Sequence, residues 1–421
     1  MNTKQNSFVL PIAMMFALFF MIAFVTGLQN PMGVIVKNQF QASNLLSQMG
    51  NFAVFIAYAF MGIPAGLMLQ KIGYKKTALT AIFVGFVGVG ITFFSGSAES
   101  FPIYLAGAFV SGFSMCMLNT VVNPMLNTLG GEGKRGNQLL QFGGTLNSMG
   151  ATIVPVLVGY LMGDVAKASI SDANSAMFLA MGIFALAFVV LYAMNIPEPH
   201  ISVESKAVKD THSPLSFRHF ILGAVAIFVY VGVEVGIPNI ANLYMTSELG
   251  INPTTAGTVV GTYWFLMLIG RLTGGVLGAQ FSSKAMQSFV SVLGLGFVVS
   301  AILLPKDLMV SMPVFQADIS FGLAKVPISI MLLVLCGLCT SVMWGGIFNL
   351  ATAGLGKYTA AASGIFMVMV CGGGILPAIQ GWAADLVGFV ASYWVIVFGL
   401  FYLLFYALMG SKNINTDIKT D

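Results

Sequence analysis

FVASYWVIVFGLFYLLFYALM, residues Phe389 to Met409, runs for twenty-one residues without one charged side chain. Its apolar residues cover every side of a helix, so an amphipathic helix lying against water would have no face to turn outward. A hydrocarbon core about 30 Å thick takes roughly 20 helical residues per crossing, and it admits only segments whose backbone hydrogen bonds close internally. The stretch reads as a transmembrane helix, and so does Phe8 to Leu28 near the other end of the chain. Comparable runs lie between them, giving twelve predicted spans at 8–30, 46–69, 78–96, 102–127, 138–162, 175–195, 219–246, 255–280, 285–304, 327–352, 359–384 and 388–410. With 57% hydrophobic and 8% charged residues, the chain lacks the polar surface a water-soluble protein needs. The first run follows Lys4 as a signal peptide would, yet it is too long for one and has no small-residue cleavage site; it reads as an uncleaved helix. The predicted class is an all-α, polytopic membrane protein.

The longest hydrophilic stretch, Ile196 to Arg218, separates six spans from six. It is predicted to link two six-helix bundles, residues 1–195 and 219–421, through a linker at 196–218. Placing both termini inside puts thirteen loop Lys and Arg residues on the cytoplasmic side and four (Lys37, Lys167, Lys306 and Lys325) outside. That asymmetry predicts cytoplasmic termini. The halves also repeat weakly. One shift lays Gly150, Pro155, Gly159 and Asn127 on Gly372, Pro377, Gly381 and Asn349; a similar one lays Gly62, Gly66 and Lys76 on Gly270, Gly274 and Lys284. Agreement in span order points to a parallel six-plus-six repeat.

Several function classes are disfavoured. No basic cluster has the size or aromatic interleaving that nucleic acid requires. Cys116, Cys336, Cys339 and Cys371 all lie inside apolar spans and read as reduced packing residues, and the C-x-x-C pair has no further ligands for a metal. The histidines, His200, His212 and His219, are expected to be solvated in or beside the linker. No cofactor motif is present, and an intramembrane enzyme would need a second deep acid or an H-E-x-x-H motif.

Polar side chains inside hydrocarbon are costly and are expected to face a bundle interior or a water-filled cavity. Asn119, Asn123 and Asn127 recur every four residues and so line one helical face. Carboxamides offer donors and an acceptor together, which suits hydroxylated ligands, while the alternative is hydrogen bonding between helices. Pro124 leaves the carbonyl of Thr120 without its helical donor. Glu234 is the only carboxylate deep in a span, so its protonation state is a lever, and Pro238 frees its own backbone carbonyl just before Asn239 and Asn242. Arg271 is the only base well inside a span and is expected to serve packing or a gate. Tyr263, Trp264 and Trp344 are candidates for an aromatic wall; Trp382 and Trp394 fit an interfacial belt. Gln141 joins them on the amide argument.

Between the second and third spans, Gly66-Leu-Met-Leu-Gln-Lys71-Ile-Gly73-Tyr-Lys75-Lys76 is similar to the signature loop of the major facilitator superfamily, with Gln70 where that loop carries an acid. Leu28-Gln-Asn30, Asn123-Pro124, Asn147-Ser-Met-Gly150, Tyr230-Val-Gly-Val-Glu234, Gly270-Arg271-Leu-Thr-Gly274, Ile347-Phe-Asn349 and Leu355 through Pro377 resemble the fucose:proton symporter family, which includes bacterial glucose/galactose transporters. The resemblance spans essentially the whole chain. It implies a transporter of a neutral monosaccharide working by alternating access, multi-pass in a bacterial inner membrane and monomeric. Taken with the readings of the polar and aromatic residues above, the expected substrate contacts are Asn30, Asn119, Asn123, Gln141, Asn147, Asn239, Trp264, Trp344 and Asn349, with Glu234 as proton-coupling group and Lys71, Gly73, Lys75 and Arg271 at the gate. The family's acids of the first and fourth spans fall at Asn30 and Asn119, and a sugar-contacting Gln falls at Gly144. Sodium coupling, uniport, drug or metabolite antiport, and a receptor without transport stay open as alternatives.

Overall fold

The computed structural model describes residues 8–40, 49–131, 133–162, 169–196, 198, 212–316, 318, 320–415 and 417–420. Helix α1 runs Val9–Gln39 and α2 runs Met49–Ser97. Gly73 interrupts α2 with φ 84° and ψ 177°, a conformation that glycine adopts without a Cβ penalty. There the chain doubles back. Gly112 of α3 (Phe101–Leu129) meets Val54 and Ala57 from the arm before Gly73, while Ser111 and Ser114 of α3 meet Gly88 and Gly85 from the arm after it. Helices α4 (Gly133–Met162), α5 (Asn174–Ala193), α6 (Arg218–Leu243), α7 (Pro253–Leu277) and α8 (Ser283–Leu303) follow.

The last third is more broken. The predicted span 327–352 is two helices, α9 (Ile328–Thr340) and α10 (Met343–Thr352), and the eleventh span divides into α11 (Thr359–Val368) and α12 (Gly372–Val387) around a short 3₁₀ turn. Phe389–Ser392 (α13) and Trp394–Phe405 (α14) make up the stretch quoted at the outset, and a π turn over Tyr406–Gly410 extends it. Among the described residues ten helical stretches are long and apolar enough to cross a bilayer. One of them, Phe52–Ser97, holds two crossings because of the turn at Gly73, and α4 adds a more polar one, which makes the twelve that the sequence predicts. The fold is all-α and polytopic.

Two features depart from expectation. Before α9 an antiparallel hairpin pairs β1 (Met309–Phe315) with β2 (Phe321–Pro327), where the sequence offers only a loop. Alternation explains it: Met312, Val314, Ala324 and Val326 turn inward, and the Phe315 ring stacks on Phe265 of α7 at 4.5 Å. His219 is not solvated. It is buried at the start of α6, where its Nε2 lies 3.0 Å from the Ala353 carbonyl. His212 is exposed, and His200 lies outside the described residues, as do 197 and 199–211 of the predicted linker.

Close seams join helices from the two ends of the chain. A Cβ on Gly62 or Gly66 would collide with Val368 or Gly364 of α11, so this arm of α2 lies directly on α11. Likewise Gly275 of α7 abuts Phe142 of α4. These seams correspond under the sequence repeat, because Phe142 and Gly364 stand 222 residues apart, as Asn127 and Asn349 do.

Candidate functional site

Where α3, α4, α6, α7, α10 and α11 converge, the buried polar side chains form two connected groups. The first is built on α3. Trp344 of α10 donates from Nε1 to Asn123 Oδ1 at 2.9 Å; Asn123 Nδ2 donates to the Asn119 carbonyl at 2.8 Å and to its Oδ1 at 3.4 Å. Asn119 Nδ2 then donates to the Tyr58 hydroxyl at 3.0 Å and the Met115 carbonyl at 3.1 Å. The every-fourth spacing of the asparagines places them on one face, as their sequence implies.

The second group surrounds Glu234 of α6. Its Oε1 accepts from Tyr230 at 2.9 Å and from Arg271 Nη2 at 3.0 Å, forming an ion pair whose side chains are only 12% and 10% exposed. Glu234 is therefore a paired acid. Arg271 also donates to the Ser341 carbonyl (3.3 Å), the Gly144 carbonyl (3.2 Å) and Ser148 Oγ (2.8 Å), so one guanidinium ties α6, α7, the α9–α10 break and α4. Such a fork is what its planar donor set permits. Tyr230 connects the groups, since its ring meets Trp344 edge to face at 6.3 Å.

The carbonyls left open by Pro124 and Pro238 are both taken. Ser363 of α11 donates to the Thr120 carbonyl at 3.1 Å, and Tyr263 of α7 donates to the Glu234 carbonyl at 3.1 Å. In a membrane interior an unsatisfied carbonyl costs several kcal/mol, so helix breaks belong where a neighbour can donate. Gln141 serves the same end, donating to the Val342 carbonyl at 2.9 Å.

Other candidates fall elsewhere. Asn349 is bonded to Asn127, about two turns along α3 from Asn119, at 2.8 Å and to the Gly133 carbonyl at 3.2 Å. Asn147 reaches the Phe19 carbonyl at 3.1 Å and does not join the chain on α3. Trp264 is half-buried against Tyr263, seven residues from Arg271 and so on its face of α7. Asn239 is exposed, and the side chain of Asn30 lies outside the described residues. Lys71 is exposed at the α2 turn. Lys75 donates to the carbonyls of Tyr192 and Met194 at 2.8 and 2.6 Å, while Glu198 accepts the Tyr74 and Lys75 amides at 2.6 and 3.0 Å. These two charges complement the C-terminus of α5 and the N-terminus of the second α2 arm. Sequence reasoning missed Tyr58, Ser148 and Glu198. Tyr230 stands out in the sequence only within the segment that resembles the symporter family, although its position four residues before Glu234 places the two on one face.

A bundle of membrane-spanning helices that buries an ion pair and a carboxamide chain belongs to the class of polytopic membrane transporters. The family model of the Major Facilitator Superfamily matches residues 15–233, and the chain belongs to that superfamily. It is 29% identical over 423 residues to the glucose/galactose transporter of Brucella abortus, covering 98% of this chain and 97% of that one. To the L-fucose-proton symporter of Escherichia coli it is 22% identical, over 91% of this chain and 89% of the relative. Among solved structures, the major facilitator transporter FucP in its outward conformation superposes with a TM-score of 0.82 at 20% identity, over 97% of this chain and 100% of that one.

Proposed function

We propose that the protein imports a neutral monosaccharide of the glucose, galactose or fucose kind across a bacterial inner membrane, with both termini cytoplasmic and the carrier acting as a monomer. Residues 1–195 and 219–421 rock about the central site, and a proton taken up by Glu234 couples transport to the gradient. The observation that carries this reading is the junction at Tyr230, which links a buried carboxylate to a row of carboxamides and an indole. Amides and an aromatic edge are the groups a sugar's hydroxyls and C–H faces call for.

Alternating access is supported by one-sided hydrogen bonding, although Phe55 of α2 also packs on Gly373 of α12. The described hydrogen bonds between the two proposed units come from residues 120–148 on one side and 271–363 on the other, toward the end that carries the α3–α4 turn. Names of the relatives favour a hexose or fucose, and the full-length match to the Brucella glucose/galactose transporter favours a hexose. Uniport or sodium coupling is a second reading, favoured by the ion pair that already balances Glu234 and by Asn119, which cannot titrate. Uptake of labelled glucose, galactose and fucose into proteoliposomes, with and without a proton gradient, separates these. Accumulation that collapses with the proton gradient supports coupling; gradient-independent equilibration supports uniport, and no uptake refutes the sugar reading.

A further inference from the structure

The chain on α3 has a direction that side-chain chemistry fixes. An indole N–H can only donate, so the Asn123 atom facing Trp344 is Oδ1 and its amide nitrogen must point along the helix to Asn119. The Met115 carbonyl can only accept, so the Asn119 atom beside it is Nδ2, and that same nitrogen donates to Tyr58. Every bond therefore runs from Trp344 toward Tyr58, whose hydroxyl oxygen accepts and whose proton ends the chain. All four side chains are mostly or wholly buried, and the Trp344–Asn123 bond is the step that crosses from α10 to α3.

Resting on the sugar-transport reading, we propose that one sugar hydroxyl inserts into the Trp344–Asn123 bond, and that Tyr58 is a positioning residue that sets what this hydroxyl must do. To enter without leaving a buried polar group unpaired, the ligand atom must accept from the indole N–H and donate to Asn123 Oδ1. A hydroxyl does both. A deoxy carbon does neither, and a fluorine cannot donate. Tyr58 holds the Asn119 amide so that its Oδ1 faces Asn123 Nδ2 beside the Asn119 main-chain carbonyl, and together these acceptors keep Asn123 Oδ1 turned toward the ligand. The site thus selects for a hydroxyl at one ring position, whichever hexose is carried. Leaving a buried partner unsatisfied is the costly outcome that makes such selection strong.

The test measures binding of glucose and galactose, and of their singly deoxy and singly deoxyfluoro derivatives, to the full-length protein in nanodiscs by titration calorimetry. One ring position is expected at which both replacements weaken binding by about tenfold or more. In N123A the fluoro derivative at that position should bind as well as the parent sugar, because no acceptor remains for the lost donor. In Tyr58→Phe, a change of one hydroxyl that preserves the packed ring, discrimination between hydroxyl and fluorine there should fall by about threefold or more. Analogue profiles identical to wild type in both variants overturn the inference while leaving sugar binding intact. If the wild-type protein binds neither hexose, the same series is measured on fucose, and if none of the three sugars binds, the transport reading fails and this inference with it. Should N123A not fold, the Tyr58→Phe profile alone decides.

Discussion

Replacing Glu234 with Gln tests the coupling assignment most directly, because the substitution keeps shape and removes charge. Oε1 of Glu234 accepts both the Tyr230 hydroxyl and the Arg271 Nη2, and a glutamine oxygen can occupy the same place. What disappears is the counter-charge of a guanidinium that is 10% exposed, and leaving such a charge unbalanced costs about 3–5 kcal/mol when a buried pair is broken outright. Three neutral acceptors, the carbonyls of Ser341 and Gly144 and the Ser148 hydroxyl, stay in place and offset part of that cost. The variant should therefore fold, less stably, and should still bind. A proton moved across 100 mV supplies about 2.3 kcal/mol, which sustains a sugar gradient of about 50-fold. Proteoliposomes with an imposed potential should show accumulation of that order for the wild type and about onefold for Glu234→Gln, with counterflow exchange preserved. Undiminished accumulation by the variant would refute the role of Glu234 as proton carrier. Loss of exchange in a monodisperse variant would instead make it a substrate ligand.

Arg271→Gln removes charge-assisted bonds to Gly144 and Ser148, worth about 1.5–3 kcal/mol each, and should loosen the seam between α4 and α7. Spin labels at the exposed Arg135 and Lys284 should then show a broader, longer distance distribution than in wild type; an unchanged distribution rejects the seam role. Gly364→Val places a Cβ 2.6 Å from the Gly62 carbonyl and should prevent α2 and α11 from closing, abolishing transport while protein remains in the membrane. Wild-type uptake by that variant would show that the seam tolerates separation. A cysteine at Lys206 should react only with reagent supplied from inside the cell, and labelling from outside would invert the proposed topology.

The helices were legible because lipid imposes a uniform demand: twenty apolar residues with internally closed backbones leave the same mark wherever they occur. The turn at Gly73 was legible as a break between the predicted spans 46–69 and 78–96, and its positive φ is the conformation glycine supplies there. The hairpin was not, because seven-residue strands carrying Pro313 and Pro327 give too short an alternation to distinguish from a loop. At the site, local geometry could be read and partners could not. Spacing put Asn119 and Asn123 on one face, and Pro124 and Pro238 announced open carbonyls, but the donors Ser363 and Tyr263 stand 243 and 29 residues away in sequence. Arg271 looked like a lone base for the same reason, its acid lying 37 residues upstream on another helix.

These partners sort the polar residues by duty. A helix broken inside a bilayer must have its freed carbonyls met by donors from other helices, and here the breaks at Pro124, Pro238 and Ser341–Val342 are met by Ser363, Tyr263, Arg271 and Gln141. Asn147 gives its amide nitrogen to the Phe19 carbonyl and Asn349 gives its own to Asn127 and Gly133, so both hold helices together. Around Tyr230, by contrast, Trp344, Asn123, Asn119, Tyr58 and Glu234 are joined to one another by side-chain bonds, and none of them is the donor that meets a carbonyl freed by a helix break. Bonds of that kind can be exchanged for bonds to a ligand without exposing a broken backbone, whereas displacing Gln141 or Tyr263 would uncover a carbonyl in a dry interior. On this distinction the proposed ligand recognition falls on the chain from Trp344 to Tyr58 and its neighbour Glu234, while the surrounding donors keep the kinked helices intact.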